Sequence, residues 1–167
     1  LLKSSVLDYV SLPACAAVMG AEFSPQMVYR AAAKGLFLSR LDDHLFRYHY
    51  LFRSFLRREA RKRLPDWEVL QCRAGYFYLQ EGQDEEALGY LLRGRQWADA
   101  ARVLERLGRP LVNSGRGQLF RSFFAELPAE HRRRPEFYVV LGEAERLASN
   151  YREALQYYRE AQELAAA

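Results

Sequence analysis

The chain has 167 residues, enough for one large domain or two small ones. Half of them are apolar and 14% aromatic, so the sequence supports a packed core and excludes a disordered chain. The net charge is +4 but uneven: Arg47 to Arg63 holds seven basic residues and one acid, while Glu136 onward holds six glutamates against three arginines. Such a basic waist and acidic tail suit either a nucleic-acid contact or an acidic neighbour.

Leu2, Val6, Leu7 and Val10 recur at helical spacing. Ser11 followed by Pro13 is a helix-start signal, and the helix it opens runs to Met19 and stops at Gly20. Ser24-Pro25 repeats that signal for a helix ending at Gly35. The period then changes. "LFLSRL" (Leu36 to Leu41) and "LFRYHYLF" (Leu45 to Phe52) flank "DDH" and predict a short β-hairpin, with His44 in the turn. His49 lies in the second strand, on one face with Arg47 and Leu51. A helix from Phe52 carries Leu56 and Ala60 on one face and arginines on the other, and Pro65 closes it. Helices, a small wing and a further helix outline a winged helix over residues 1–65.

Residues 66–167 carry no strand signal. Helices are predicted at Asp66 to Gln80, Asp84 to Arg93, Trp97 to Leu107, Gln118 to Leu127, Glu136 to Ala148 and Arg152 to Ala166. Two segments repeat at an offset of 67 residues. Gly75 aligns with Gly142, Ala87 with Ala154, Leu91 with Tyr158 and Gly94 with Ala161. The offset is close to twice the tetratricopeptide period, and the small and large residues sit where that repeat places them. Small side chains let paired helices approach closely, so Gly75 with Ala87 and Gly142 with Ala154 are read as helix-crossing positions, with Leu79, Leu88, Leu91, Leu147 and Leu155 filling the groove. A degenerate middle repeat is expected from Trp97 to Leu127, with Phe120 in the alanine position. The fold class is therefore mainly α: a winged helix with a small β-hairpin, then a right-handed α-α superhelix of tetratricopeptide-like hairpins.

Chemistry-bearing motifs are absent. No phosphate loop, dinucleotide fingerprint or zinc-protease motif occurs, and His44, His49 and His131 have no ligand-spaced partners. Cys15 and Cys72 read as reduced core residues. The expectation is a non-enzymatic cytoplasmic chain without metal, cofactor or membrane span, cut from the middle of something longer.

"LLKSSVLDYV", "AAKGLFLSRLDD" and "FRYHYLFRSFLRREARKRLP", followed by "AGYFYLQEGQDEEALGYLLRGRQWADAARVLERL" and "GRGQLFRSFFAELPAEHRRRPEFYVVLGEA", resemble the middle region of large ATP-dependent LuxR-type transcriptional regulators. These are the maltose-activator group of the signal-transduction (STAND) NTPases. The resemblance covers nearly the whole chain in order. It implies an ATP-binding domain upstream that holds ATP or ADP, a DNA-binding domain downstream, and a winged helix that packs on the nucleotide-binding domain. By the same resemblance, His49 approaches the nucleotide phosphates. Tyr50 stands where many relatives repeat histidine, and Phe120 to Phe123 replace a tryptophan.

Three functions compete. In the first, the winged part couples to a nucleotide switch while the repeats bind a protein or small-molecule effector, or another copy, through Arg73, Tyr76, Tyr78, Tyr138 and Arg146. In the second, the winged helix binds nucleic acid directly, with Arg47, Arg53, Arg57, Arg58, Arg61, Lys62 and Arg63 on phosphates. Its third helix offers only Gln26, Tyr29 and Arg30 for reading bases. The same cations from Arg53 onward could instead meet an acidic partner. The third is a plain protein–protein scaffold.

Overall fold

The structure, a computed structural model, describes residues 1–35 and 37–166. Leu36, where the first wing strand was expected to begin, lies outside them. Two compact units are present, Leu1–Arg95 and Gln96–Ala167. Packing thus groups the first helical hairpin with the winged helix, whereas the sequence boundary stands at Pro65.

In the first unit, the predicted opening helix is a single 3-10 turn, Lys3–Val6, followed by a two-residue strand β1 (Val10–Ser11). The serines explain the short turn. The Ser4 and Ser5 hydroxyls donate back to the carbonyls of Leu1 and Leu2, which competes with continued helix. Ser11 caps helix α1 (Leu12–Met19), accepting from the Ala14 amide at 3.2 Å. Helix α2 (Pro25–Ala33) follows, but the Ser24 hydroxyl bonds Gln26 rather than the helix amides.

Strands β2 (Leu38–Arg40) and β3 (Leu45–Tyr48) form the expected hairpin. β1 adds a third strand, in the order β1-β3-β2, all antiparallel, with Val10 opposite Phe46 and Leu38 opposite Tyr48. Two residues are too few to show alternation, so β1 leaves no sequence signal. Helix α3 (Tyr50–Arg63) starts earlier than predicted. His49 is consequently the residue before the helix, not a strand residue, and its face-sharing with Leu51 is lost.

The winged-helix core runs through Val6, Leu7, Val10, Cys15, Val18 and Phe46. It continues without a break into Leu70 and Ala74 of helix α4 (Trp67–Gln80) and Tyr90 of helix α5 (Asp84–Arg93). Each fully buried aliphatic side chain here contributes roughly 1.5–3 kcal/mol of transfer free energy.

The second unit holds helices α6 (Trp97–Asn113), α7 (Gly117–Glu126), α8 (Ala129–Arg132), α9 (Pro135–Leu147) and α10 (Tyr151–Ala166). α6 passes through Gly108 and Pro110, where it was expected to end. Burial outweighs the poor propensity: Leu111 and Val112 are buried, and a Cβ on Gly108 would sit 3.1 Å from both Phe120 and Val140. Gly75, Gly108 and Gly142 are spaced by 33 and 34 residues, so the middle repeat keeps its glycine. The four proposed crossing positions are all buried, but the glycines face a different partner than expected. A Cβ on Gly75 would lie 2.9 Å from Leu91, and one on Gly142 only 2.5 Å from Tyr158. The close approach is therefore to the residue sixteen on rather than to Ala87 or Ala154.

The hairpin turns repeat too. Gly82, Gly115 and Ser149 are left-handed, with φ of 71°, 77° and 65°. In each turn the left-handed residue donates to the carbonyl three back and its successor to the carbonyl five back, as in Gln83 to Tyr78, Arg116 to Leu111 and Asn150 to Glu145. Leu147 and Leu155, expected as groove fillers, are 53% and 50% exposed.

Candidate functional site

The site centres on an acid to which the sequence assigned no role. Asp8 ends the segment "LLKSSVLD", placed by the 3-10 turn and anchored through its own amide, which donates to the Tyr90 hydroxyl at 2.8 Å. Its Oδ1 receives Arg53 at 3.2 Å and Arg57 at 3.0 Å. Its Oδ2 faces Arg93 at 3.9 Å and accepts from Tyr90 at 3.4 Å. Arg57 also donates to the carbonyls of Ser5 (2.8 Å) and Val6 (3.0 Å), and Arg53 to that of Asp8 (3.0 Å). One carboxylate thus joins the opening turn, α3 and α5.

Tyr90 completes the node. Its ring stacks on Tyr78 at 5.2 Å and lies under the Arg93 guanidinium at 4.5 Å. Burial first, then the nearby Asp8 charge, raise its phenol well above the ordinary value. The hydroxyl therefore stays a neutral donor.

Beside this node opens a polar recess of about 620 Å³, lined by Asp8, Ser39, Arg47, His49, Tyr50 and Arg53 among others. His49 is exposed at the head of α3. Its amide donates to the Phe37 carbonyl at 2.7 Å and its ring lies 6.4 Å from that of Phe37. Phe37 is held left-handed at φ 52° and is 62% exposed, a strained and unusual state for an aromatic residue. The first turn of α3 contains no acid, so its partial positive charge is not offset by the helix itself.

The basic run divides into spent and open cations. Arg53 and Arg57 point inward to Asp8. Lys62 and Arg63 pair with Glu59 at 3.8 and 3.1 Å. Arg58 lies over the Phe55 ring at 5.8 Å, and Arg61 is exposed beside a second recess with Trp67, Arg93 and Arg95.

The residues expected to bind a partner fall in different settings. On α4, Arg73 donates to the Val18 carbonyl at 3.1 Å and so helps fasten α4 to α1. Tyr76 is exposed and Tyr78 is half-buried against the core. On α9, Tyr138 is half-buried between Phe124 and Tyr157, at 6.1 and 6.4 Å. Arg146 is exposed and holds Glu143 at 2.5 Å, and Glu143 also accepts from Tyr158 at 3.1 Å. Arg146 drives the Glu143 carboxyl down to about 2, with Tyr158 assisting.

A second polar node went unread in the sequence. Glu145 is 6% exposed, bonded by Arg121 and, at 2.7 Å, by the Asn150 amide. Arg121 first and Asn150 second hold its carboxyl below the usual range. Among the described residues no cluster could hold a metal ion, and no helix is long and apolar enough to cross a membrane.

Residues 1–68 match the family model described as the MalT winged helix domain. Over 144 residues, 84% of this chain, the sequence is 26% identical to the HTH-type transcriptional regulator MalT of Vibrio cholerae serotype O1 (strain ATCC 39315 / El Tor Inaba N16961). The matched stretch is 16% of that relative, so the chain spans about a sixth of its length. The group indicated by "LLKSSVLDYV" and "FRYHYLFRSFLRREARKRLP" is the one that matches.

Proposed function

We propose, from the match of residues 1–68 to the MalT winged helix domain model, that this chain is the coupling segment of a bacterial ATP-dependent transcriptional regulator. In this role it is a cytoplasmic, non-enzymatic module. ATP or ADP is held by an upstream domain of the parent, DNA is contacted by a downstream one, and the helical repeats take a protein or small-molecule effector. Self-association through the repeats belongs to the same reading.

The observation that carries it is the Asp8 node. Because Asp8 binds Arg53 and Arg57 of α3 together with Tyr90 and Arg93 of α5, a displacement of the wing helix is passed to the first hairpin. The recess around His49 supplies the other end. Its donors, Ser39, Arg47 and His49, have the chemistry of a phosphate contact, and His49 stands at the start of a helix whose first turn carries no acid.

Two variants of the parent regulator test this. His49→Ala is expected to speed release of bound ADP with an unchanged melting temperature. Asp8→Asn is expected to abolish the response of a reporter gene to effector. Wild-type ADP retention by His49→Ala, or an unaltered effector response in Asp8→Asn, rejects the coupling role.

Direct nucleic-acid binding is a weaker reading, since four of the seven cations are engaged by Asp8 and Glu59. A salt-sensitive gel shift by this chain, lost in Arg47→Ala/Arg58→Ala/Arg61→Ala, would restore it.

A further inference from the structure

A cavity of about 270 Å³ opens beside α2. Met19, Phe23, Val28, Ala31 and Leu38 make its apolar wall, with Leu1 and Met27 exposed at its edge. We propose that it binds a medium-length aliphatic carboxylate, its chain inside and its carboxylate at Arg30 and Lys34.

Three observations lead to that class. The cavity contains no acidic side chain, and its two charged side chains are both cations, Arg30 in the last turn of α2 and Lys34 just past its end. Neither Arg30 nor Lys34 is in an ion pair among the described residues, whereas Glu22, next to Phe23 in sequence, is committed to Lys3 at 2.7 Å. A carboxylate from outside is the missing counter-charge.

The polar atoms inside are already satisfied. The Ser4 hydroxyl donates to the Leu1 carbonyl at 3.1 Å, so in the 2.8 Å pair with Tyr48 the phenol is the donor. No hydroxyl proton is left over for a polar chain, which favours an apolar one. At the packing density of an organic liquid, the volume accommodates a ligand of about ten heavy atoms, such as an eight-carbon acid.

Titration calorimetry and amide chemical shifts on the 167-residue chain test the site with octanoate, 1-octanol and octylamine, each below its aggregation limit. Octanoate is expected to bind, with shifts confined to α2 and its neighbours. Octanol should bind roughly tenfold more weakly and octylammonium not at all. Arg30→Gln/Lys34→Gln should bring octanoate down to the level of octanol and leave octanol unchanged. Ala31→Leu, which fills the cavity, should abolish both. If that variant fails to fold, Met27→Trp at the edge should weaken both. Equal affinity for octanoate and octanol, undiminished binding in the filled variants, or no octanoate binding at all would each overturn the proposal.

Discussion

Tyr78 and Glu145 stand 67 residues apart at the same place in their hairpins, and the two units have built opposite chemistry there. Tyr78 stacks on a buried, neutral Tyr90, and the arginines around it are gathered by Asp8. Glu145 is itself a buried charge, held by Arg121 and Asn150. One repeat geometry therefore accepts an aromatic stack or an ion pair at one position. What it does not vary is the glycine three residues earlier, which in each hairpin packs against the residue sixteen positions on, Leu91 or Tyr158.

The largest effect is expected from the nodes themselves. Asp8→Ala should cost the first unit about 2–3 kcal/mol, since three arginines and a buried phenol lose their common partner. The Asp8 side chain is 44% exposed, which keeps the figure below that of a fully buried pair. The second unit should be unaffected. The two tryptophans fall one in each unit, so urea unfolding of Trp97→Phe and Trp67→Phe backgrounds reads the units separately. Equal loss in both signals would dissolve the contrast.

The glycines sharpen it. Gly75→Ala would press a methyl group against Leu91, which is fully buried, and within 3.2 Å of its backbone nitrogen. It should lose about 1–2 kcal/mol net of the helix-propensity gain. Gly142→Ala meets the half-buried Tyr158 ring, which can swing outward, so less than about 1 kcal/mol is expected. A reversed order in the same urea series would mean that Tyr158 is the more constrained side chain.

Opposite pH limits come next. Glu143 and Glu145 have depressed carboxyl values in the folded chain. Their contribution is complete above the ordinary 4.5 and fades as the pH falls below it, toward about 2 for Glu143. In the first unit burial raises Tyr48 to about 12, with Tyr90 raised as well. That contribution is complete below pH 10 and fades as the pH rises toward 12. Acid should loosen the Trp97 signal first and alkali the Trp67 signal first. The same unit leading at both extremes would contradict this.

The smallest effect is a gain. Ser149 occupies the left-handed turn position that glycine fills at Gly82 and Gly115. Ser149→Gly should stabilise the second unit by about 0.5–1 kcal/mol, provided relief of the strain exceeds the entropy of the added glycine. A lower melting temperature would show that the serine is not strained there.

Long elements were legible from the chain because period and punctuation agree: α4, α5, α9 and α10 lie within a residue or two of expectation. The misses have local causes. α6 overruns its glycine and proline because tertiary burial outweighs propensity, and β1 is too short to carry a pattern. The repeat exposed Gly75 and Gly142, yet a linear alignment cannot say which side chain each one faces. The site was less legible still. His49 and the arginines were singled out, but Asp8, Tyr90 and Glu145 each look ordinary until folding brings residues 82 or 24 positions away beside them. A lone acid just after a serine-containing turn, in a unit otherwise rich in arginine, was the available clue.

Cys15 offers a last consequence. It is fully buried in the first unit, and burial lifts its thiol to about 12. At neutral pH an alkylating reagent therefore meets neither an accessible nor an ionised sulfur. Its modification has to wait for the winged helix to open, which turns a routine core side chain into a clock for that opening, readable by mass spectrometry on the unlabelled protein.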